Sequence, residues 1–258
     1  MENPQTSTLA MHAVSRSRGK QPGESVYTTR LRERRKAKGQ AKSSDESESD
    51  DEIEPGAVVL HKMFNRQVIL HPDNTVVKSG KRIPIGEAEA LRVAAQAGIP
   101  APCVRDVHTS SDVAICGSSP HLIGSCDGTE IRDTRLHFTY HSPPCRDEQA
   151  FNEFLLSALY KHIPQLVREA FSRRLKTNHR IILSHCDLTP RNILVHDGKI
   201  KGLVDWEDSG WYPEYWEYVK FFQRTADKDW KQYAADIFPE LYHDELVDFI
   251  AMSKWQNS

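Results

Sequence analysis

Asp187, Asn192 and Asp205 have side chains and a spacing that suit metal-assisted chemistry. The first two lie in Ser184-His-Cys-Asp-Leu-Thr-Pro-Arg-Asn192, and the third follows two apolar runs, Ile193-Leu-Val195 and Lys199-Ile-Lys-Gly-Leu-Val204. Between those runs stands His196-Asp197-Gly198, and Asp-Gly between β-rich runs predicts a hairpin with a tight turn. The hairpin brings Asn192 at its entry and Asp205 at its exit together at its open end, with Asp187 in the loop just before. Two carboxylates and an amide oxygen at one edge suit Mg²⁺, a hard cation that prefers oxygen and keeps substrate phosphates in its shell. Phosphoryl transfer needs this set. The metal neutralises phosphate oxygens, and a carboxylate orients the attacking hydroxyl and takes its proton.

Taken singly, each residue has a plainer use. An Asp before Thr-Pro is usually a turn residue, and an Asp at a strand end is usually solvated. A lone histidine is usually packed and hydrogen-bonded, and His185 is assigned that supporting part, bracing the loop. The joint spacing raises the set above its members: His-x-Asp-x-x-x-x-Asn, a tight hairpin, then Asp.

The elements that must hold these residues come from about 200 of the 258 residues. Residues 1–56 carry a basic run (Arg30, Arg32, Arg34, Arg35, Lys36, Lys38) and then an acidic, serine-rich block over 43–54. Like-charge blocks repel and bury no core, so this stretch is expected to be a disordered tail. Its basic run is open to nuclear targeting or nucleic-acid contact, and a solvated tail is the plainer reading. A small lobe is expected over 57–112. Arg66-Gln-Val-Ile-Leu70 and Thr75-Val-Val-Lys78 flank a turn cluster, and Gly86–Ala97 is rich in helix formers, with Gly98 placed to cap it and Pro100 to stop it. An irregular, turn-rich connector is expected over 113–146. A helical lobe follows over 147–258, with helices near 147–162, 165–175, 214–224, 228–237 and 244–255. The expected fold class is α+β, a small strand-containing lobe followed by a mainly helical one.

No stretch approaches the roughly 18–20 apolar residues of a membrane span, and the N-terminus lacks a signal-peptide layout. The five cysteines form no C-x-x-C pair, which favours reduced thiols in a cytoplasmic protein, with the nucleus open through the basic run. The region after the tail has no basic stripe with interleaved aromatics, which argues against nucleic acid as a partner.

Leu183–Lys220, through His185–Asn192, Val204-Asp-Trp-Glu207 and Gly210-Trp-Tyr-Pro-Glu-Tyr-Trp-Glu-Tyr-Val-Lys220, resembles the fungal branch of the aminoglycoside phosphotransferase/choline kinase-like family. His141-Ser-Pro-Pro-Cys-Arg-Asp-Glu-Gln-Ala-Phe151 resembles the segment before that family's central helices. The resemblance covers most of residues 57–258. It implies a protein-kinase-like two-lobe fold, ATP and Mg²⁺ as cofactors, and transfer of the γ-phosphate to a hydroxyl of a small molecule that the sequence does not identify. It also implies Asp187 as the catalytic base, Asn192 and Asp205 as Mg²⁺ ligands, Lys78 on the nucleotide phosphates and Glu87 as its ion-pair partner. Glu89 is the alternative partner if the register differs by two.

Three departures stand out. Cys186 replaces a common glycine, and Trp206-Glu207 replaces Phe-Gly. The apolar strand, adenine-binding hinge and long helix that follow the lysine–helix unit have no evident counterpart between Asp112 and Pro120. An adenine slot needs apolar walls. The alternative reading is therefore a non-catalytic, truncated kinase-like protein acting through protein interactions. In the C-terminal helices, Trp211, Tyr212, Tyr215 and Trp216 with Glu214 and Glu217 would suit a cationic acceptor, although core packing is the preferred reading of Tyr215 and Trp216.

Overall fold

The computed structural model describes residues 6–12, 54–63, 66–81, 83–109, 122–135, 138–224 and 228–256. The apolar runs of the first half form one antiparallel sheet. Strands β1 (Thr6–His12), β2 (Val58–Met63), β3 (Arg66–Leu70), β4 (Thr75–Lys81) and β5 (Cys103–Thr109) stand in the order β2-β3-β4-β1-β5. Between β3 and β4 the chain turns at Asn74, whose φ of 64° asparagine tolerates better than most residues. Asp73 closes this turn by accepting hydrogen bonds from the Thr75 backbone and hydroxyl, at 2.9 and 2.6 Å.

Helix α1 (Gly86–Gln96) covers the sheet with a stripe of small residues and one leucine: Ala88, Ala90, Leu91 and Ala94 are all fully buried. It stops as its composition predicts. Gly98, at φ 72°, donates to Ala95, and Ile99 donates to Ala94, a Schellman cap that needs a residue at ease in the left-handed region.

Strand β1 corrects the expected tail. Thr6–His12 pairs with β4 on one side and β5 on the other, with Leu9 opposite Lys78 and Val107. The reason is non-local. Without an inserted strand, the facing edges of β4 and β5 would leave backbone donors and acceptors unpaired inside a sheet. Thr-Leu-Ala-Met fills that slot and buries Leu9 and Met11 with Leu91, Ala94 and Trp206. Residues 13–53, which hold the basic run and most of the acidic block, lie outside the described residues, as does the 110–121 segment where the hinge was expected to be missing.

The rest of the chain forms the helical lobe with small sheets attached. Within the stretch expected to be irregular, β6 (Gly124–Ser125), β7 (Ile131–Thr134) and β8 (Thr139–Ser142) form. They precede α2 (Glu148–Ser157), α3 (Gln165–Arg174), β9 (Ile181–Ser184) and the hairpin β10 (Ile193–His196) and β11 (Lys199–Leu203). Strand β12 (Gly210–Pro213) then pairs with both β6 and β9, and α4 (Trp216–Arg224), α5 (Lys228–Gln232), α6 (Ala234–Ile237) and α7 (His243–Ser253) complete the lobe.

Trp216 sits at the centre of this core, fully buried, with Phe151 at 5.0 Å and Phe249 at 5.4 Å between ring centroids, both edge-on. Tyr212 and Tyr215 are buried beside it, so these aromatics are core. Each such side chain contributes roughly 1.5–3 kcal/mol of burial. The architecture is α+β in two lobes. Among the described residues, no helix is long and apolar enough to cross a membrane.

Candidate active site

The hairpin closes as Asp-Gly requires. Asp197 and Gly198 take φ of 52° and 68°, and β10 pairs with β11 with Ile193 opposite Leu203. One further bond, Val204 N–H to Asn192 O at 3.0 Å, extends the pairing to the open end, one residue short of Asp205.

The loop before the hairpin hangs from α4. Glu217 accepts from the backbone N–H groups of His185 and Cys186 at 2.5 and 2.9 Å. The His185 ring is buried edge-on to Trp206, at 4.7 Å between centroids. Its Nε2 lies 3.2 Å from Val204 O, and its Nδ1 accepts from the Asp187 N–H at 3.3 Å. Both contacts are served by one neutral tautomer with the proton on Nε2. The imidazole thus ties the loop to the end of β11. Cys186 is buried at φ 64°, a conformation glycine adopts without strain, so the thiol fills its site at some backbone cost.

Lys78 reaches this end of the hairpin from β4. Its Nζ lies 2.8 Å from Glu87, 3.4 Å from Glu207 and 3.6 Å from Asp205. Burial works against the ammonium charge, but Glu87, Glu207 and Asp205 outweigh it and hold Lys78 above its usual value. Glu87 itself is pushed up by its complete burial, against the pull of Lys78. Glu89, the alternative partner, points elsewhere and pairs with Arg92 at 3.2 Å.

Glu207 takes two further cations, Arg66 at 3.1 Å and Arg132 at 3.5 Å. Burial opposes its charge, yet Lys78, Arg132 and Arg66 hold its carboxyl below the usual range. Asp187 is likewise buried and held low, because Arg224 and Arg191 outweigh the cost of burial. Arg191 donates to Asp187 Oδ2 at 2.6 Å, and Arg224 donates to both oxygens, at 3.2 and 3.0 Å.

Among the described residues, no group of three or more His, Cys, Asp and Glu side chains is placed to hold a metal. The donor set read from the sequence is smaller. Asn192 spends Nδ2 on Asp187, at 2.9 Å to its backbone oxygen and 3.0 Å to Oδ2, which leaves the amide oxygen for a cation. Asp205 stands half-exposed at the hairpin's exit, at φ 69°. Asn192 is buried while Asp205 faces solvent, and an amide oxygen and a carboxylate are the donor types that Mg²⁺ takes, with water and phosphate completing its shell.

Arg66, Arg132, Glu207, Asp208 and Arg224 were not picked out from the sequence. Glu207 carried a signal, two residues after Asp205, but was read only as a departure from Phe-Gly. The three arginines carry no local pattern. Conversely, the acids expected to meet a cationic acceptor are already engaged. Glu217 holds the loop, and Glu214 pairs with Arg180 at 2.7 Å.

A family model described as "Phosphotransferase enzyme family" matches residues 129–246. The matched stretch contains Asp187, Asn192, Asp205, Glu207 and Arg224, and leaves Lys78 and Glu87 outside it. No curated protein matches the chain.

Proposed function

We propose that the chain is an ATP- and Mg²⁺-dependent kinase of a small hydroxylated molecule, a reading supported by the match of residues 129–246 to the phosphotransferase enzyme family, whose fold is kinase-like. One observation carries this reading: Lys78 and Glu87, from β4 and α1, lie 2.8 Å apart, and Asp205 of the distant hairpin lies 3.6 Å from the same ammonium. Phosphate-binding lysine, its anchor and a cation ligand converge, which is what positioning and charge neutralisation of a triphosphate demand.

In this reading Lys78 grips phosphate oxygens while buried Glu87 fixes its direction. Asp187 orients the acceptor hydroxyl and receives its proton. Asn192 and Asp205 would hold Mg²⁺, which neutralises the phosphate oxygens when bound. Glu217 and His185 keep the loop rigid, so that Asp187 meets the acceptor without reorganisation.

The test is a thermal melt of the full chain with and without Mg²⁺–ATP. Ligand at 100 times its dissociation constant adds about 2.7 kcal/mol of stability. The metal-dependent part of the shift is expected to vanish in Asp205→Ala. Absence of any shift at millimolar Mg²⁺–ATP would refute the enzyme reading and leave the non-catalytic, partner-binding alternative.

A further inference from the structure

The donors around Asp187 are shared unequally between its two oxygens. Oδ2 accepts from Arg191 Nη2 at 2.6 Å, Arg224 Nη2 at 3.0 Å and Asn192 Nδ2 at 3.0 Å, whereas among the described residues Oδ1 accepts only from Arg224 Nε, at 3.2 Å. A carboxylate oxygen offers about two lone-pair sites, so Oδ2 is saturated and Oδ1 is not. The oxygen with room for a hydroxyl is Oδ1.

Arg224 is the donor that touches both oxygens. It is nearly buried on α4, whereas Arg191 is largely exposed. Its Nη1 is anchored to Thr134 O at 3.3 Å. Its Nη2 also lies 3.2 Å from Asp208 Oδ2, a buried oxygen that receives no hydrogen bond among the described residues. The pairing is close in distance and off the hydrogen-bond direction. Asp208 is itself fixed through Oδ1, which accepts from Arg132 Nε at 2.6 Å and the Thr134 hydroxyl at 2.7 Å. Arg132 then continues through Glu207 to Lys78.

Resting on the kinase reading, we propose that Arg224 is the positioning residue of the centre. Its two-oxygen grip turns Asp187 so that Oδ1 keeps an open lone pair for the attacking hydroxyl. Asp208 Oδ2 is the second oxygen that Nη2 can serve while Asp187 receives the acceptor. In the step, the hydroxyl proton passes to Oδ1 and the new oxygen–phosphorus bond forms. The bond from phosphorus to the β-phosphate oxygen breaks, and its electron pair leaves with ADP. Three ion pairs, Asp208–Arg132, Arg132–Glu207 and Glu207–Lys78, separate Arg224 from the phosphate grip, so its loss acts on Asp187.

The test compares the full chain with Arg224→Gln and Arg224→Lys, using Mg²⁺–ATP with water as acceptor and release of inorganic phosphate as readout. Arg224→Gln is expected to lower turnover about 100-fold, the scale of a misplaced catalytic group. The KM for ATP and the melting shift with Mg²⁺–ATP should stay within about twofold, because the nucleotide grip is elsewhere. Arg224→Lys, which keeps the charge but serves one oxygen at a time, should fall between. Unchanged turnover in either variant, or a loss lying wholly in KM, overturns the positioning role and leaves the kinase reading standing. A wild-type chain that ATP stabilises but that releases no phosphate overturns this proposal, since Oδ1 then activates no hydroxyl, whereas the kinase reading stands or falls with the melting shift. If Arg224→Gln gives no melting transition, Arg224→Lys decides alone, and wild-type turnover in it overturns the proposal.

Discussion

Replacing Leu9 by alanine should destabilise the small lobe far more than a residue this near the N-terminus would lead one to expect. The side chain is 2% exposed and packs with Leu91, Ala94 and Trp206 beneath α1. Truncating a buried leucine to alanine costs about 2–5 kcal/mol, through lost transfer energy and the cavity left behind. For a domain of this size that lowers the melting temperature by about 4–20 °C, at roughly 2–4 °C per kcal/mol.

There is a functional consequence as well. Leu9 is the cross-strand neighbour of Lys78, and such neighbours share a face of the sheet. A looser β1 therefore loosens the strand that aims Lys78 at Glu87. The assay is urea unfolding followed by tryptophan fluorescence, since Trp206 lies in the same cluster, together with the Mg²⁺–ATP melting shift. The expected result is a lower urea midpoint at unchanged slope and a smaller ATP shift. An unfolding free energy within about 0.5 kcal/mol of wild type, the range of ordinary surface substitutions, would show that β1 does not hold its place in the sheet.

Two further substitutions test the helical lobe. A Cβ on Gly210 would meet the Gly124 carbonyl oxygen at 2.2 Å, and neither backbone can yield. Gly210→Ala should therefore cost about 1–3 kcal/mol or more in urea unfolding and prise β12 from β6, dragging the Asp205–Asp208 loop with it. Lys220 and Asp133 form a fully buried pair at 2.8 Å, with Arg135 as the second cation on Asp133. Burial opposes the Asp133 charge, but Lys220 and Arg135 outweigh it and keep the carboxyl below its ordinary value. A carboxyl held low in the folded state adds stability above its unfolded value, near 3.9, that is lost as the pH falls through the folded value. Asp133→Asn should accordingly flatten the acid limb of stability between about pH 5 and 2. Lys220→Met, which strands part of that charge, should cost about 3–5 kcal/mol at neutral pH.

The parts of this site that were readable in advance are those whose partners lie close in sequence. Asp197-Gly198 set the turn, the turn set the hairpin's register, and the register put Asn192 beside Val204 and so near Asp205. Helix α1 was readable from its alanines and its Gly98 cap. Lys78 and Glu87 stand nine residues apart and come together because one strand leads directly into that helix. Local propensity decides the hairpin and the helix, whereas the pairing of Lys78 with Glu87 was an expectation from the family resemblance that the short connection makes possible.

What escaped has partners far away. Arg224 and Asp187 are 37 residues apart, Arg132 and Asp208 are 76, and no spacing rule links such pairs, because an ion-pair chain constrains position in space and leaves sequence separation free. Glu214 and Glu217 looked suited to a cationic acceptor because acids near a site look available. Their carboxylates are instead engaged by Arg180 and by two loop amides. Strand β1 escaped for the same reason in a stronger form. Thr6–His12 has little strand signal of its own beyond Leu9 and Met11, and its hydrogen bonds go to β4 and β5, more than 60 and 90 residues away along the chain. The readable loop is therefore held in place by contacts that the sequence does not mark. Asp187 takes its orientation from Arg224, Lys78 lies on a strand whose inner neighbour is β1, and both come to one edge because long-range contacts position the lobes that carry them.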